Sequence, residues 1–280
     1  MNSYKYKPVR YFVYVYLFTW IFWFSAAFVS RQEAGQGLGL LLMILGLFVP
    51  ATVSLLMVMR SGNPALKKDY KDKLSGFYRL NLTNVFLAIL LFGAVIVVSI
   101  LVSLLFGESA EQFSFVDGFS FSVMGMPTLL TLILAALVEE LGWRGYAEDS
   151  IAFYHNWFTE SIIFGFVWSL WHLPLFFIPG TYQNNIMQMN IWFMVNFFVS
   201  TFPLSFFMTW VYVKSRRSIF ACMIVHFVVN FLQEQIALTQ VTKCLETGVF
   251  TVFMVFIILA NKELYFSKRH VGRILEVDYN

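Results

Sequence analysis

Long apolar stretches alternate with short polar segments along the whole chain. The apolar stretches lie at about residues 11–30, 38–59, 82–106, 122–146, 161–178, 191–213, 218–239 and 245–260. A helix that crosses the hydrocarbon core of a bilayer needs roughly 20 mostly apolar residues, and most of these stretches reach that length. The pattern predicts an all-α, polytopic membrane protein with about eight transmembrane helices. No repeat or linker divides the chain, so a single integral-membrane domain over 1–280 is expected.

Composition agrees with this prediction and excludes other classes of protein. Hydrophobic residues make up 59% of the 280 residues and charged residues only 12%. A soluble domain has about 45–50% apolar and about 25% charged residues, so this chain has too little charge to cover a soluble surface. Disordered and collagen-like chains are excluded as well, and two cysteines cannot build a disulfide scaffold.

The basic residues predict the orientation of the chain in the membrane. With eight crossings, seventeen of the nineteen Lys and Arg fall on the side of the N-terminus, and only Arg31 and Lys243 fall on the other. The positive-inside rule therefore places both termini in the cytoplasm, with the plasma membrane as host in a prokaryote and the endoplasmic reticulum in a eukaryote. The segment 60–81 is basic with interleaved apolar residues, which predicts either a solvated cytoplasmic loop or an interfacial helix.

Two acidic residues and an arginine lie near the end of the fourth apolar stretch. Ionisable side chains are expensive inside a membrane and need a reason to be there. Glu140 and Arg144 are four residues apart, share a helix face and can form an ion pair. That pairing leaves Glu139 as the carboxylate without a local partner. A helix that ends in the headgroup region is the structural alternative for Glu140 and Arg144.

Two later apolar stretches each carry a histidine. Pro174 follows His172 and is expected to break its helix, while Asn230 shares a helix face with His226. At about 1.5 Å per residue, Glu139, His172 and His226 reach similar depths in the half near the cytoplasm. Alone, His172 would more often be a helix–helix contact. Together, a glutamate and two histidines can activate a water molecule, either with the glutamate as general base or through a bound metal.

These elements resemble the motifs of the CAAX protease and bacteriocin-processing (CPBP) family of intramembrane endopeptidases, which includes the Ras-converting enzymes. The matching motifs are Glu139-Glu140-Leu141-Gly142-Trp143-Arg144 for E-E-x-x-x-R, Trp168 with His172 for an aromatic residue before a histidine, and His226…Asn230 for H-x-x-x-N. Each motif is weak by itself, but their order and their setting within apolar stretches make the set specific. The resemblance covers roughly residues 135–231.

The resemblance implies a fold of eight helices around a cavity open to the cytoplasmic side. It implies that Glu139, with His172, positions and deprotonates the attacking water. His226 and Asn230 would then stabilise the oxyanion of the tetrahedral intermediate. A zinc ion is the open question, since Glu139, His172 and His226 would also suit one as ligands. No cofactor is otherwise expected.

The resemblance also implies a substrate and a supporting role for two residues. Glu140 and Arg144 would orient the site, and the substrate would be a C-terminal prenylated C-a-a-X peptide, cut after the lipidated cysteine. The family usually has phenylalanine where this chain has Trp168, and the run Trp-His-Leu-Pro is closer to the prokaryotic branch. Protease activity is therefore a firmer expectation than prenyl specificity, and a bacteriocin-processing peptidase acting on a non-prenylated, membrane-proximal peptide is an alternative.

Two further alternatives use the same residues differently. Intramembrane glutamate and histidine also build proton relays, so a proton-coupled transporter is possible, although the sequence has no inverted repeat. A non-catalytic membrane scaffold that keeps the fold is the other. Expected partners are membrane lipid and the peptide substrate. Nucleic acid is not expected, and the sequence gives no indication of the oligomeric state.

Overall fold

The computed structural model describes residues 4–32, 35–75, 79–119 and 121–267. Within them the chain forms twelve α-helices: α1 Pro8–Val29, α2 Gln36–Met59, α3 Pro64–Ser75, α4 Leu82–Leu104, α5 Thr128–Gly142, α6 Glu148–Ala152, α7 Trp157–Trp171, α8 Tyr182–Met189, α9 Ile191–Lys214, α10 Ile219–Gln235, α11 Gln240–Ala260 and α12 Lys262–Phe266. The predicted fold class, an all-α polytopic membrane protein, is confirmed.

Each of the eight apolar stretches contains one helix, but the helices are not equal in length. Among the described residues, six helices are long and apolar enough to cross a membrane: α1, α2, α4, α7 with the turn that follows it, α9 and α11. The other two, α5 with 15 residues and α10 with 17, are shorter. These two short helices carry Glu139 and His226.

The outer surface of the bundle is apolar, as a lipid-facing surface requires. On α1, for example, Val9, Val13, Leu17 and Phe28 are at least half exposed. The interior of the bundle has a hydrophobic core and, in addition, many buried charged and polar side chains. This matches the rule that intramembrane polar groups face the interior of the bundle.

Helix α5 does not end as a regular helix but continues through a π-helical turn, Trp143–Ala147, into α6. The turn lies against α2. A Cβ atom on Gly142 would come within 2.5 Å of Pro50, and one on Gly145 would come within 2.7 Å of the Ser54 hydroxyl. Glycine at these positions therefore permits the close approach of the two helices.

Helix α3 is the helical part of the basic segment 60–81, of which residues 76–78 lie outside the description. Its buried face is charged: Asp69 and Lys73 have almost no exposed surface. Lys73 Nζ donates to Asp149 Oδ2 at 2.6 Å, and Arg217 binds both carboxylate oxygens of Asp69, at 3.0 and 2.7 Å. Arg217 also donates to Asp149. We call these four buried residues the closed-end cluster; they lie toward the end of the bundle that carries the N-terminus.

The closed-end cluster also supports the π-helical turn. Lys73 Nζ donates to the carbonyl oxygens of Arg144 and Gly145, at 3.0 and 2.8 Å. The Tyr212 hydroxyl donates to the Arg144 carbonyl at 3.1 Å. A π-helical turn does not form the regular hydrogen bonds of an α-helix, so donors from neighbouring helices compensate its carbonyl groups.

Helix α7 ends where Pro174 predicts. It begins at an Asn156 cap, whose side chain accepts a hydrogen bond from the Thr159 amide, and stops at Trp171. His172 is the capping residue, and Leu173–Phe177 forms a short 3₁₀ turn. The break places the His172 side chain at the end of the helix.

Candidate functional site

The motifs of α5, α7 and α10 meet around the Trp168 side chain. Trp168 Nε1 donates to Glu139 Oε2 at 3.0 Å. The Trp168 ring centre lies 5.7 Å from that of His226 and 6.0 Å from that of His172. Glu139, His172 and His226 are all buried but line one cavity. The structure therefore brings together the glutamate and the two histidines.

Two indole groups fix the Glu139 carboxylate. Trp143 Nε1 donates to Glu139 Oε2 at 3.1 Å, and Trp168 Nε1 donates to the same oxygen. The second carboxylate oxygen is not used by either indole. A carboxylate held through one oxygen in this way presents the other in a defined direction, as a general base requires.

His172 is held in one tautomer by the backbone of its own helix. Its Nδ1 lies 2.7 Å from the Trp168 carbonyl oxygen. Because a carbonyl oxygen only accepts, Nδ1 carries a proton that it donates, and the lone pair of the neutral ring is at Nε2. His172 can therefore accept a hydrogen bond from a water molecule in the cavity.

A chain of charged groups holds His226. Its Nδ1 donates to Glu140 Oε1 at 2.7 Å, and the same oxygen accepts from Arg144 Nη1 at 3.0 Å. On its other side, Arg144 Nη2 lies 3.2 Å from Glu148 Oε1. These residues have little or no exposed surface. The predicted Glu140–Arg144 pair is thus present, and it extends to His226 at one end and to Glu148 at the other.

Asn230 lies one turn beyond His226 on α10 and lines the same cavity. Helix α10 begins at Ser218, whose hydroxyl accepts a hydrogen bond from the Ala221 amide. The i, i+4 spacing then places the imidazole and the carboxamide on one face. Both side chains can present hydrogen-bond donors to an oxyanion in the cavity.

The cavity has a volume of about 310 Å³ and runs from this site toward the end opposite the N-terminus. Its lining includes Phe121 and Met126, from the loop before α5, and Gln183 of α8. The sequence predicted cytoplasmic termini and a cavity open to the cytoplasm. Both of these stay predictions.

The geometry does not provide the ligand set that the sequence left open for zinc. Across the described part of the chain, no three His, Cys, Asp or Glu side chains are arranged to hold a metal ion. The Glu139 oxygen Oε2 instead accepts hydrogen bonds from the indoles of Trp143 and Trp168. We therefore assign no step to a metal.

Sequence reasoning missed Trp143 and Glu148. Trp143 lies four residues after Glu139, and Glu148 lies four residues after Arg144. The same i, i+4 rule that paired Glu140 with Arg144 would have found both, had it been extended in each direction. The next residue, Asp149, is buried between Lys73 and Arg217.

Comparison with known proteins gives two matches. The family model of the type II CAAX prenyl endopeptidase Rce1-like proteins matches residues 121–232, the region that contains all three motifs. A protein named CAAX prenyl protease 2, from Methanococcus maripaludis, is 43% identical over 268 residues. That alignment covers 96% of this chain and 99% of the relative.

Proposed function

Because the chain belongs to the Rce1-like family of type II CAAX prenyl endopeptidases, we propose that it is an intramembrane endopeptidase that cleaves after the prenylated cysteine of a C-a-a-X peptide. The observation that carries the mechanism is the convergence of Glu139, His172 and His226 on one cavity. The apolar wall of that cavity, which includes Met43, Ile44 and Leu47 of α2, is suited to a prenyl chain.

Glu139 is the general base of the proposed reaction. Water held between Glu139 and Nε2 of His172 loses a proton to the carboxylate and attacks the carbonyl carbon of the scissile bond. The indoles of Trp143 and Trp168 keep the carboxylate in place during this step. A positioned general base contributes roughly 10²–10⁴-fold in rate.

His226 and Asn230 bind the oxyanion that forms. The Glu140 carboxylate accepts from Nδ1 of His226 and stabilises positive charge on the ring, so Nε2 can present a proton to the oxyanion. The Asn230 carboxamide is the second donor. The proton taken up by Glu139 passes to the leaving amine when the peptide bond breaks, which restores the carboxylate.

A cleavage assay with purified protein tests this proposal. Incubation with a farnesylated C-a-a-X peptide should release the terminal tripeptide, and Glu139→Ala should reduce the rate at least 10²-fold. A chelator should leave the rate unchanged if the glutamate acts without a metal. Full activity of Glu139→Ala would refute the role of Glu139, and cleavage of only non-prenylated peptides would favour the bacteriocin-processing alternative.

We further propose that both termini are cytoplasmic. Most basic residues lie at the end of the bundle that carries the N-terminus, and they carry the strongest orientation signal in the chain. In a background with Cys222→Ser and Cys244→Ser, an impermeant maleimide added to intact cells should label Phe113→Cys at the opposite end and not Ser75→Cys on α3. The reverse pattern would place both termini on the outer side of the membrane.

A further inference from the structure

A cluster of polar side chains lies in the cavity wall between the site and the mouth. We call Tyr182, Glu234, Gln240 and Lys243 the mouth cluster; all four line the cavity. Lys243 Nζ lies 3.9 Å from Glu234 Oε1 and 4.9 Å from the centre of the Tyr182 ring. The Tyr182 hydroxyl donates to Gln240 Oε1 at 3.3 Å. The Lys243 side chain is only 10% exposed, so its charge is directed into the cavity rather than into bulk solvent.

Lys243 is unusual in its position. It is the only lysine or arginine among the described residues that line the cavity. The distance of 3.9 Å to Glu234 is longer than a hydrogen bond, and an ammonium group has three donors. A partly desolvated lysine in the wall of a substrate cavity is a suitable point charge for an anionic group of the ligand.

The spacing of residues on α10 gives the distance from the reacting centre to Glu234, the acid nearest to Lys243. His226 and Glu234 are eight residues apart on this helix, which corresponds to about 12 Å, and Asn230 and Glu234 are about 6 Å apart. The tripeptide that follows the scissile bond spans at most about 10–11 Å when extended. A substrate whose scissile carbonyl lies at His226 and Asn230 can therefore bring its C-terminal carboxylate to the mouth cluster.

We propose that Lys243 binds the C-terminal carboxylate of the peptide substrate. The position of Lys243 would then determine how many residues from the substrate's C-terminus the protein cleaves. This inference rests on the proposed function, because it requires a C-terminal peptide as substrate. The carboxylate would replace the long contact between Lys243 and Glu234, and the Tyr182 hydroxyl, turned away from Gln240 Oε1, would be a second donor. The chemical class recognised is a free α-carboxylate at the end of an extended peptide.

The acidic neighbours of Lys243 determine the strength of this interaction. Glu246 lies one turn along α11, and its Oε1 accepts from Gln233 Nε2 at 2.5 Å, so an amide partly satisfies its charge. Glu234 is the acid that competes with the substrate carboxylate for Lys243. Glu234→Gln should therefore lower KM for a peptide with a free carboxylate and leave KM unchanged for the same peptide with a C-terminal amide.

The test compares one farnesylated peptide in two forms, with a free carboxylate and with a C-terminal amide. With the unmodified protein we expect kcat/KM to be roughly 10- to 100-fold higher for the free acid, as for one hydrogen bond to a charged group. In Lys243→Met the two peptides should be cleaved at nearly equal rates, because the free acid loses its advantage and the amide keeps its rate. Lys243→Arg should restore much of the preference.

Arg31→Met is the matched control, because Arg31 is an exposed basic residue at the same end and does not line the cavity. It should keep the full preference for the free acid. Equal cleavage of acid and amide by the unmodified protein, or an unchanged preference in Lys243→Met, would overturn the proposal. The first of these results stands even if Lys243→Met does not fold. Failure to cleave either peptide would instead refute the proposed function, so the two failures are distinguishable.

Discussion

Buried charges occur both in the closed-end cluster and in the candidate site, but their surroundings differ. In the closed-end cluster, Asp69 and Asp149 each contact both Lys73 and Arg217, and Asp69 also contacts Arg79. In the site, one side-chain atom of each of Glu139, His172 and His226 is fixed by hydrogen bonding. The same side chains also line the cavity. Burial of a charge therefore does not by itself indicate function. The informative feature is a fixed group that keeps one side toward a cavity.

Removing one member of the closed-end cluster should have the largest effect, and on stability. Arg217→Met leaves Asp69 and Asp149 buried without their main partner, which costs about 3–5 kcal/mol. Thermal unfolding in detergent measures the loss. Arg216→Met is the control, because Arg216 has the same left-handed backbone but is exposed. A loss as small as that of the control would show that the cluster is not structural.

Removing one oxyanion donor from the site should act on rate and not on stability. Asn230→Ala should lower kcat by roughly 10²–10³-fold, the usual effect of losing such a donor. Unfolding temperature should change little. Asn84→Ala removes a carboxamide at the closed end, where it donates to the Lys214 carbonyl, and should leave kcat unchanged. If both variants lose the same activity, Asn230 has no special role.

Acid should weaken the closed-end cluster at a defined pH. Burial alone would raise the pKa of the Asp69 carboxyl, but Arg217 and Lys73 outweigh it and lower that pKa to about 2. The pKa is lower in the folded state than in the unfolded state, so the contribution of about 2 kcal/mol is complete above pH 4. It is lost as the pH falls from about 4 to about 2. Unfolding measured over this range should show the decline, and Asp69→Asn should remove it.

The smallest expected effect concerns the indoles that hold Glu139. Trp168→Phe removes one donor to the carboxylate and should lower kcat roughly tenfold. Trp171→Phe is the matched control, because the Trp171 indole donates to the Thr19 hydroxyl instead. Single-turnover rates of the two variants compare them directly. Equal rates would mean that Trp143 alone positions the base.

The general fold, and the meeting of Glu139, His172 and His226 around one cavity, could be predicted from the sequence. Glu139, His172 and His226 are ionisable residues within apolar stretches. Because an ionisable side chain inside a membrane is energetically unfavourable, such residues stand out in the sequence. The resemblance to the CPBP endopeptidases, drawn from these residues and their motifs, is confirmed by the family match. The roles of the individual residues stay predictions.

The closed-end cluster could not be predicted in the same way. Asp69 and Arg217 are 148 residues apart, and each lies in a polar segment that a sequence pattern assigns to solvent. A charged residue in a polar segment does not stand out from its neighbours. The local sequence therefore does not distinguish a buried ion pair from charges on a solvated surface.

The shortness of α10 is possible because this helix does not face lipid. At 17 residues it extends about 26 Å, less than the roughly 30 Å of a hydrocarbon core. None of its residues is exposed. Other parts of the protein surround it, so the bilayer does not have to become thinner to match its length. The helix that carries His226 therefore keeps its length whatever the thickness of the membrane around the protein.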